Sequence, residues 1–510
     1  MQLDPLSIPY RAVESGLQVV VGIAIAGIAG AGSVGGAEGL AVFGVVLVFG
    51  IGLSLGWQVA YVRRFEYRLT EDTFDIDSGV ISRRAREIPY GRIQNVDIQQ
   101  NVLQRALGIA EVRLETAGGG QTEARLRYVD LDGARHVQEE VSRRKRGEHG
   151  EHGDGESPAT ERETRLFELD DRELVVLGIV SMDLRLLSLI AVPLSFVGPS
   201  VLSDFAPTAT ASLAIIALGL LGLVVASALV SGALSMARYY GFVLTDRDEE
   251  YRYERGLLQR FSGSIPKDKV QTITLSENVL ARRLGYASLS IETAGYAGTG
   301  QGTTGSQSAI PIAEREHAIE LAGRIEDFDA LAFERPPKRA RERYAVRYTL
   351  VVAVLLAIAY GIVRLTPLSF PWYALAGGVV LVPVAAHLKW HHRGYRLEEG
   401  HVITRNGFWS RRITIVPIYR IQTLVTAETV FQRRRDLATL IVDTAGTYTL
   451  VGDDAKAVDI DVSEADRLRE ELDEDLQEAV VEYRRQRERD RVAASSETVS
   501  DEPDVGSVGG

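Results

Sequence analysis

The sequence predicts a membrane protein made of three repeats, each an α-helical transmembrane hairpin followed by a small antiparallel β-barrel that a C-terminal helix closes. Two observations predict this fold class. Paired apolar stretches long enough to cross a bilayer alternate with charged stretches along the 510 residues. The charged stretches also repeat one another without a gap, over Gly79 to Gly118, Gly256 to Gly295 and Gly407 to Gly446.

Six apolar stretches form the three predicted hairpins, because a transmembrane helix needs about 20 mostly apolar residues. They are Leu17–Gly36, Leu40–Val62, Leu186–Leu202, Ala209–Met236, Tyr348–Val363 and Trp372–Leu388. The first stretch is too long for the apolar part of a signal peptide, and a second span follows at once. Lysine and arginine are concentrated outside the short hairpin loops, so we expect the N-terminus and all three β domains to be cytoplasmic.

These stretches divide the chain into membrane segments, β domains and linkers. The predicted hairpins occupy 1–64, 166–238 and 346–390, the β domains 65–146, 239–327 and 391–478, the linkers 147–165 and the basic segment 328–345, and a charged, disordered tail 479–510. Several domains are expected because the chain is too long for one ordinary core.

The first β domain shows the pattern most clearly. Alternating apolar and polar residues predict strands over Tyr67–Ile76, Val80–Ile88, Ile93–Ile98, Ile109–Thr116 and Glu123–Val129. A short helical turn is expected over Asn101 to Gly108, and Asp130 opens an amphipathic helix. The other copies end in the same way, with helices at Glu314 to Ile325 and from Ser463 onward.

Residues that recur at equivalent places in the three copies mark positions that the fold requires. The early glycines suit hairpin turns with positive φ, and a recurrent proline ends a strand because it cannot donate to a β ladder. The recurrent sets are Pro89, Pro266 and Pro417, then Gln94, Gln271 and Gln422, then Arg105, Arg282 and Arg433. We interpret all three sets as structural. For the arginine, a structural ion pair or loop cap is weighed against a binding role.

A family resemblance rests on these residues. In the first copy, IPYGRIQNVDIQQNVLQRALGIAEVRLETAGG resembles the bacterial PH-like membrane-flanked domain family. In that family, paired transmembrane helices flank a cytoplasmic PH-like β domain, so the resemblance implies this architecture for nearly the whole chain. The second copy departs at IPKDKVQTI, and the third replaces ALG by RDL at Arg435 to Leu437, where we expect the helical turn to differ. The family has no well-defined activity, so function follows only by analogy.

Composition and motifs argue against several kinds of site. The chain has no cysteine, which excludes disulfides and cysteine-ligated metals, and its net charge of −12 argues against nucleic acid as a partner. Neither a Gly-x-Ser-x-Gly motif nor any other nucleophile–base signature is present. The glycine-rich segment from Gly295 lacks the Gly-Lys-Ser/Thr ending of a phosphate loop, which favours a flexible hairpin loop. We therefore expect no catalytic activity and no cofactor.

Two histidine groups are candidates for metal ligands. His387 and His391 lie one helical turn apart beside His392, but no third acidic ligand stands at helical spacing. His149 and His152 fall in a low-complexity linker. We expect no metal at either group.

Arginines in the strand after the hairpin turn are the strongest candidates for a contact site. They are Arg83, Arg84 and Arg86 in the first copy, Arg260 in the second, and Arg411 and Arg412 in the third. A basic turn held near an anionic leaflet would bind phosphate headgroups through charge and hydrogen bonds. The alternative is a solvated, charge-balanced strand face.

The function that we predict is that of a non-catalytic, multi-pass protein of the prokaryotic cytoplasmic membrane. Its three cytoplasmic PH-like domains would act as a scaffold for protein or anionic-lipid contacts. The expected partners are membrane lipids and other membrane proteins or further copies of the chain, and not nucleic acid. A component of a transport or export system is the alternative, but it would need polar residues along the spans, which are nearly bare of them. A membrane enzyme comes third.

Overall fold

The structure, a computed structural model, describes residues 37–116, 124–145, 163–181, 209–247, 249–293, 309–328, 331–365, 371–398, 400–445 and 455–500. The predicted spans Leu17–Gly36 and Leu186–Leu202 lie outside these residues, and so does the glycine-rich segment that starts at Gly295. The described residues fall into two compact units. The first lies within Met1–Lys269 and Gly295–Ala309, and the second within Val270–Ala294 and Ile310–Gly510.

Eleven α-helices are present in the described parts of the chain. They are α1 Ala37–Arg64, α2 Val102–Ala106, α3 Leu131–Lys145, α4 Asp171–Val180, α5 Ala209–Tyr239, α6 Val279–Leu284, α7 Arg315–Ile325, α8 Lys338–Leu365, α9 Val382–His391, α10 Val430–Arg433 and α11 Val462–Ser500. A 3-10 helix, Trp372–Leu381, leads into α9.

Three helices within these residues are long and apolar enough to cross a membrane, namely Leu221–Tyr239, Lys338–Leu365 and Trp372–His391. They overlap the fourth, fifth and sixth predicted spans, and α1 covers the second. Many of their large apolar side chains are exposed, as expected of surfaces that face lipid.

Nineteen strands are described. They are β1 Glu66–Leu69, β2 Thr73–Ser78, β3 Arg84–Pro89, β4 Ile93–Asn101, β5 Ile109–Thr116, β6 Ala124–Asp130, β7 Thr164–Glu168, β8 Val243–Arg247, β9 Glu250–Arg255, β10 Gln259–Pro266, β11 Val270–Asn278, β12 Tyr286–Thr293, β13 Ile310–Glu314, β14 Gly394–Glu398, β15 His401–Asn406, β16 Ser410–Pro417, β17 Ile421–Ala427, β18 Leu437–Thr444 and β19 Ala455–Asp461.

Each repeat contributes a first group of strands that ends at the recurrent proline and a second group of three that precedes its C-terminal helix. The strands assemble into four antiparallel sheets, with the orders β1-β2-β3, β6-β5-β4-β10-β9-β8-β7, β13-β12-β11-β16-β15-β14 and β17-β18-β19. Two of these sheets therefore contain strands of two successive repeats. No sheet among the described residues closes on itself, so the predicted barrels are not confirmed. The physical reason is that β4 and β11 pair with a strand of the following repeat.

The core of the first β domain lies between its two groups of strands and helix α3. Phe74 and Ile88 from the first group pack with Val112 and Leu126 from the second and with Val137 of the helix, all of them buried. The third domain has an equivalent cluster that includes residues of β15, β18 and α11. This apolar packing is what holds each C-terminal helix against its strands.

The hairpin turns follow the sequence prediction closely. Gly79, Gly256 and Gly407 have φ angles of +110°, +108° and +94°. A side chain at any of them would overlap a backbone carbonyl three residues later. These turns therefore require glycine in all three repeats.

Two predicted elements differ from the structure. The strand predicted over Tyr67–Ile76 is two strands, because Thr70 and Thr73 form a turn in which the Thr70 N–H donates to the Thr73 carbonyl at 2.9 Å. The tail predicted to begin at residue 479 continues as helix α11 to Ser500. That segment is rich in glutamate, arginine and alanine, which favour helix, and it contains no glycine or proline before Ser500.

The third copy differs at its short helix, as the RDL replacement indicated. Gly108 and Gly285 end the equivalent helices with φ of +72° and +81°. Asp436 takes this place in the third copy with φ of +49°. Aspartate tolerates this left-handed conformation better than most residues do.

Candidate functional site

Two seams join successive repeats, and they are the principal feature of the soluble part. At the first seam β10 pairs antiparallel with β4, from Gln259 opposite Asn101 to Ser262 opposite Ile98. At the second seam β16 pairs antiparallel with β11, beginning with Ser410 opposite Asn278. The residues paired at the second seam are the repeat equivalents of those paired at the first, so the two seams use the same register.

The recurrent arginine spans these seams. Arg105 donates to the carbonyl of Leu257 at 3.3 Å, and Arg282 donates to the carbonyl of Phe408 at 3.3 Å. Leu257 and Phe408 are equivalent residues of the next repeat. The Arg282 guanidinium also lies 5.6 Å from the centre of the Phe408 ring. The arginine therefore caps the hairpin tip of the following repeat, and its contacts lie between domains.

The recurrent proline and glutamine have local roles in the strands. Pro89, Pro266 and Pro417 are the last residues of β3, β10 and β16. The strand register then shifts at the glutamine in every copy. Ile93 and Asn95 pair with the consecutive residues Thr116 and Glu115, which leaves Gln94 as a β-bulge. The same shift occurs across Gln271 and Gln422. The glutamine therefore marks a β-bulge near the start of the second group of strands in each repeat.

The arginines predicted to contact headgroups are divided between two settings. Arg83, Arg84 and Arg86 are exposed, on or just before β3. Arg260 lies on a seam strand and pairs with Glu254 at 2.7 Å. Arg411 pairs across the second seam with the buried Glu277.

Arg412 lies opposite Ser276 at the same seam. The arginines of the second and third copies therefore lie at the seams, beside residues of the preceding repeat. The arginines of the first copy lie on or just before the edge strand β3.

The tips of the three hairpins carry exposed apolar residues and lie near the ends of the helices α1, α5 and α9. Ile81, Leu258 and Trp409 occupy equivalent positions and are 83%, 53% and 77% exposed. In the second repeat the Leu257 N–H donates to the Ala237 carbonyl of α5 at 2.8 Å.

The other two repeats hold their tips in a similar place. Arg64 at the end of α1 donates to the Val80 carbonyl at 3.1 Å. His392, directly after α9, contacts the Phe408 ring edge-to-face, with ring centres 5.1 Å apart. Each tip is thus fixed beside the end of its own repeat's helix.

A buried polar cluster lies beneath the first seam. Asn95 donates to Asp97 at 3.0 Å, and Ser264 of β10 donates to Asn95 at 3.4 Å. Burial raises the pKa of Asp97 to about 6, against the opposing effects of Asn95, Arg113 and Arg255. Burial, and then the charge of Asp97, raise the pKa of Glu115 to about 8. The pair therefore binds protons more tightly in the folded protein than in the unfolded chain.

This cluster gives a testable dependence of stability on pH. Both folded-state pKa values lie above the unfolded value, near 4. The extra stability is complete below pH 4 and is lost as the pH rises through about 6 to 8. We expect an Asp97→Asn, Glu115→Gln double variant to lose less stability than the wild type between pH 5 and pH 8, by more than ~1 kcal/mol, because each unit of a raised pKa is worth about 1.4 kcal/mol. Thermal unfolding of both proteins at pH 5 and pH 8 measures it. Equal pH dependence in the two proteins would contradict it.

A polar groove of about 580 Å³ lies over the same sheet, between α3 and strands β4 and β7 to β10. Its arginines are largely balanced by neighbouring carboxylates. Arg247 pairs with Glu163 at 3.1 Å, and Arg260 pairs with Glu254 at 2.7 Å. The groove therefore has no concentration of unbalanced positive charge that would select an anion.

A buried ion-pair cluster joins the third β domain to its transmembrane hairpin. Asp459 is fully buried and lies at a bulge of β19 with φ of +63°. Its carboxylate accepts hydrogen bonds from Arg343 and Arg393, each at 2.7 Å, from Gln432 at 2.8 Å and from the Tyr344 hydroxyl. Arg343 and Tyr344 lie near the start of α8, and Arg393 follows α9. One carboxylate therefore holds both helices to the domain.

The sequence does not single out Asp459, because the equivalent residues near the ends of β6 and β13 are Tyr128 and Ile312. Recurrence between copies fails as a signal for a residue that one copy alone requires.

Within the described residues, no group of three or more potential metal ligands stands together. The rings of His387 and His391 are tilted against each other with centres 5.9 Å apart. His149 and His152 lie outside the described residues.

Comparisons with known proteins give the following matches. The profile of the bacterial PH domain family matches residues 20–145, 185–328 and 344–476. A relative is the UPF0699 transmembrane protein YdbT of Bacillus subtilis (strain 168), which is 24% identical over 422 residues. The alignment covers 76% of this chain and 82% of the relative. No solved structure matches.

Proposed function

The chain belongs to the bacterial PH domain family and is a transmembrane protein, and on this premise we propose that it is a non-catalytic scaffold of the cytoplasmic membrane. Its three PH-like domains lie on the cytoplasmic side, as the distribution of lysine and arginine favours. They offer a β platform for contacts with proteins and with anionic lipid. Neither the family nor the relative's name implies a reaction, and neither supports a transport or export role.

The seams carry this proposal. An isolated domain on a flexible linker turns freely, whereas a seam with backbone hydrogen bonds joins strands of two successive repeats in one sheet. Each repeat contains two groups of strands and a C-terminal helix, and strands of successive repeats pair at the seams. A scaffold needs such fixed spacing, because it presents several contacts at once.

The hairpin tips are the part of the platform that contacts lipid. Ile81, Leu258 and Trp409 are exposed apolar residues held beside helices that leave the membrane, and tryptophan favours the headgroup region. Arg84 follows the first tip and is placed to meet phosphate headgroups. Arg260 and Arg411 already pair with carboxylates, so we assign them to the seams.

The tip contact predicts that Trp409 reaches the bilayer. The chain has four tryptophans, and replacing the other three by phenylalanine leaves Trp409 as a single probe. In nanodiscs, brominated lipids are expected to quench its fluorescence, whereas water-soluble acrylamide quenches it weakly. The matched control is a Trp409→Phe version of the same background with Val481→Trp on the exposed part of α11. If Trp409 responds to both quenchers as the control does, the tips do not touch lipid.

A further inference from the structure

The two seams use equivalent strands, and the same kinds of strand remain open at the two ends of the array. β3 is the repeat equivalent of β10 and β16, and β17 is the equivalent of β4 and β11. Within the described residues, β3 pairs only with β2, and β17 pairs only with β18. The first repeat therefore offers the edge that a preceding repeat would cover, and the third offers the edge that a following repeat would cover.

We propose that β3 of one copy of this chain pairs with β17 of a second copy, head to tail, in the antiparallel register of the internal seams. This inference rests on the scaffold function proposed above and names a second copy of the chain as a partner of that scaffold. Applying the repeat offsets to the internal register places Ser82 opposite Thr429 and Ala85 opposite Thr426. The four pairs common to both internal seams define this register.

Charge supports this register. At the second seam Arg411 lies opposite Glu277, and the two side chains form an ion pair. The equivalent residues at the open edges are Arg83 and Glu428, both of them exposed. The proposed contact therefore places an arginine opposite a glutamate, as the internal seam does.

The recurrent arginine supports the same contact. Arg105 and Arg282 each cap the tip of the following repeat. Arg433 is the third member of the set and is exposed. The residue equivalent to Leu257 and Phe408 in the first repeat is Val80. In the head-to-tail pair, Arg433 donates to the Val80 carbonyl of the next copy.

Burial distinguishes the open edges from the covered ones. Nearly every residue of β11, which has a strand on each side, is buried. Arg84 to Glu87 of β3 are all exposed, and so are Gln422, Thr423 and Val425 of β17. An uncovered edge presents unpaired backbone groups that another strand can satisfy. Because the two open edges complement each other in the register of the internal seams, a second copy of this chain fits both, in a heterologous contact.

Disulfide trapping in native membranes tests the proposal, and the absence of natural cysteines makes the background clean. Two differently tagged copies are co-expressed, one with Ala85→Cys and the other with Thr426→Cys. Opposite residues of antiparallel strands lie within disulfide range. We expect a cross-linked species that carries both tags. Pairing Ala85→Cys with Thr423→Cys, out of register, should give none.

An internal control distinguishes failure of the proposed self-association from failure of the proposed scaffold. Ser262→Cys and Ile98→Cys in one chain are the equivalent pair of the first seam and should form an intramolecular disulfide. If they do and the two-copy pair does not, the self-association is wrong and the platform stands. If the internal pair also fails, both are wrong.

Charge reversal provides a second measurement. Arg83→Glu or Glu428→Arg alone should reduce the trapped two-copy species, and the two changes together should restore it. Cross-linking that is insensitive to both single changes would overturn the proposed register.

Discussion

Replacing Asp459 by alanine is expected to lower the free energy of unfolding of the third repeat by ~3–5 kcal/mol, because removing one partner of a buried ion pair leaves the others uncompensated. Arg343 and Arg393 both point their charge at this carboxylate, and both are largely buried. Water cannot replace the lost charge at a site that is fully buried.

Thermal unfolding of the purified protein in detergent measures the effect, and we expect the midpoint to fall by several degrees. Asp459→Asn keeps the shape and tolerates the left-handed backbone, so its effect should be intermediate. Glu320→Ala removes an exposed ion pair with Arg324 and should cost less than ~1 kcal/mol. If Asp459→Ala behaves like Glu320→Ala, the cluster does not hold the hairpin to the domain.

Replacing Gly256 by alanine is expected to cost ~2–4 kcal/mol, from a steric overlap and an unfavourable φ together. The new methyl group would overlap the Gln259 carbonyl, and a backbone atom cannot move aside by changing rotamer. The strain falls at the start of β10, so the first seam should weaken with it.

The control for this change is Gly323→Ala in helix α7, where an added methyl group meets no atom within 4 Å. That change should stabilise the protein by ~0.5–1 kcal/mol, since alanine favours helix over glycine. Thermal unfolding compares the two variants. Protease resistance of the β domains gives a second readout. A Gly256→Ala protein as stable as the wild type would show that the turn tolerates a side chain.

The repeats, the hairpin turns and most strands of the first domain could be predicted from the sequence, because each depends on local pattern. Gly79 and its equivalents illustrate this, since a turn that requires positive φ needs glycine in every copy. The strand over Tyr67–Ile76 was wrong because the alternation continues through a turn held by Thr70 and Thr73. Periodicity reports which face a residue occupies, and not where a chain reverses.

The seams could not be predicted, because the apolar and polar alternation of a strand does not identify the strand that it pairs with. Alternation in β4 is satisfied equally by pairing within its repeat or with β10. Arg105 shows the same limit. Its recurrence revealed that it matters, but its partner, the carbonyl of Leu257, has no side-chain identity that a sequence can display.

The seams also constrain how the chain is made. Asn101 and Gln259, which pair at the first seam, lie 158 positions apart. A ribosome adding roughly 5–20 residues per second needs on the order of 8–30 s to cover that distance. During that interval β4 has emerged and its partner does not yet exist. The intervening chain includes helix α5, so that helix is synthesised before the first sheet can be completed. A nascent chain stalled before Gln259 would therefore carry an unprotected strand edge at β4.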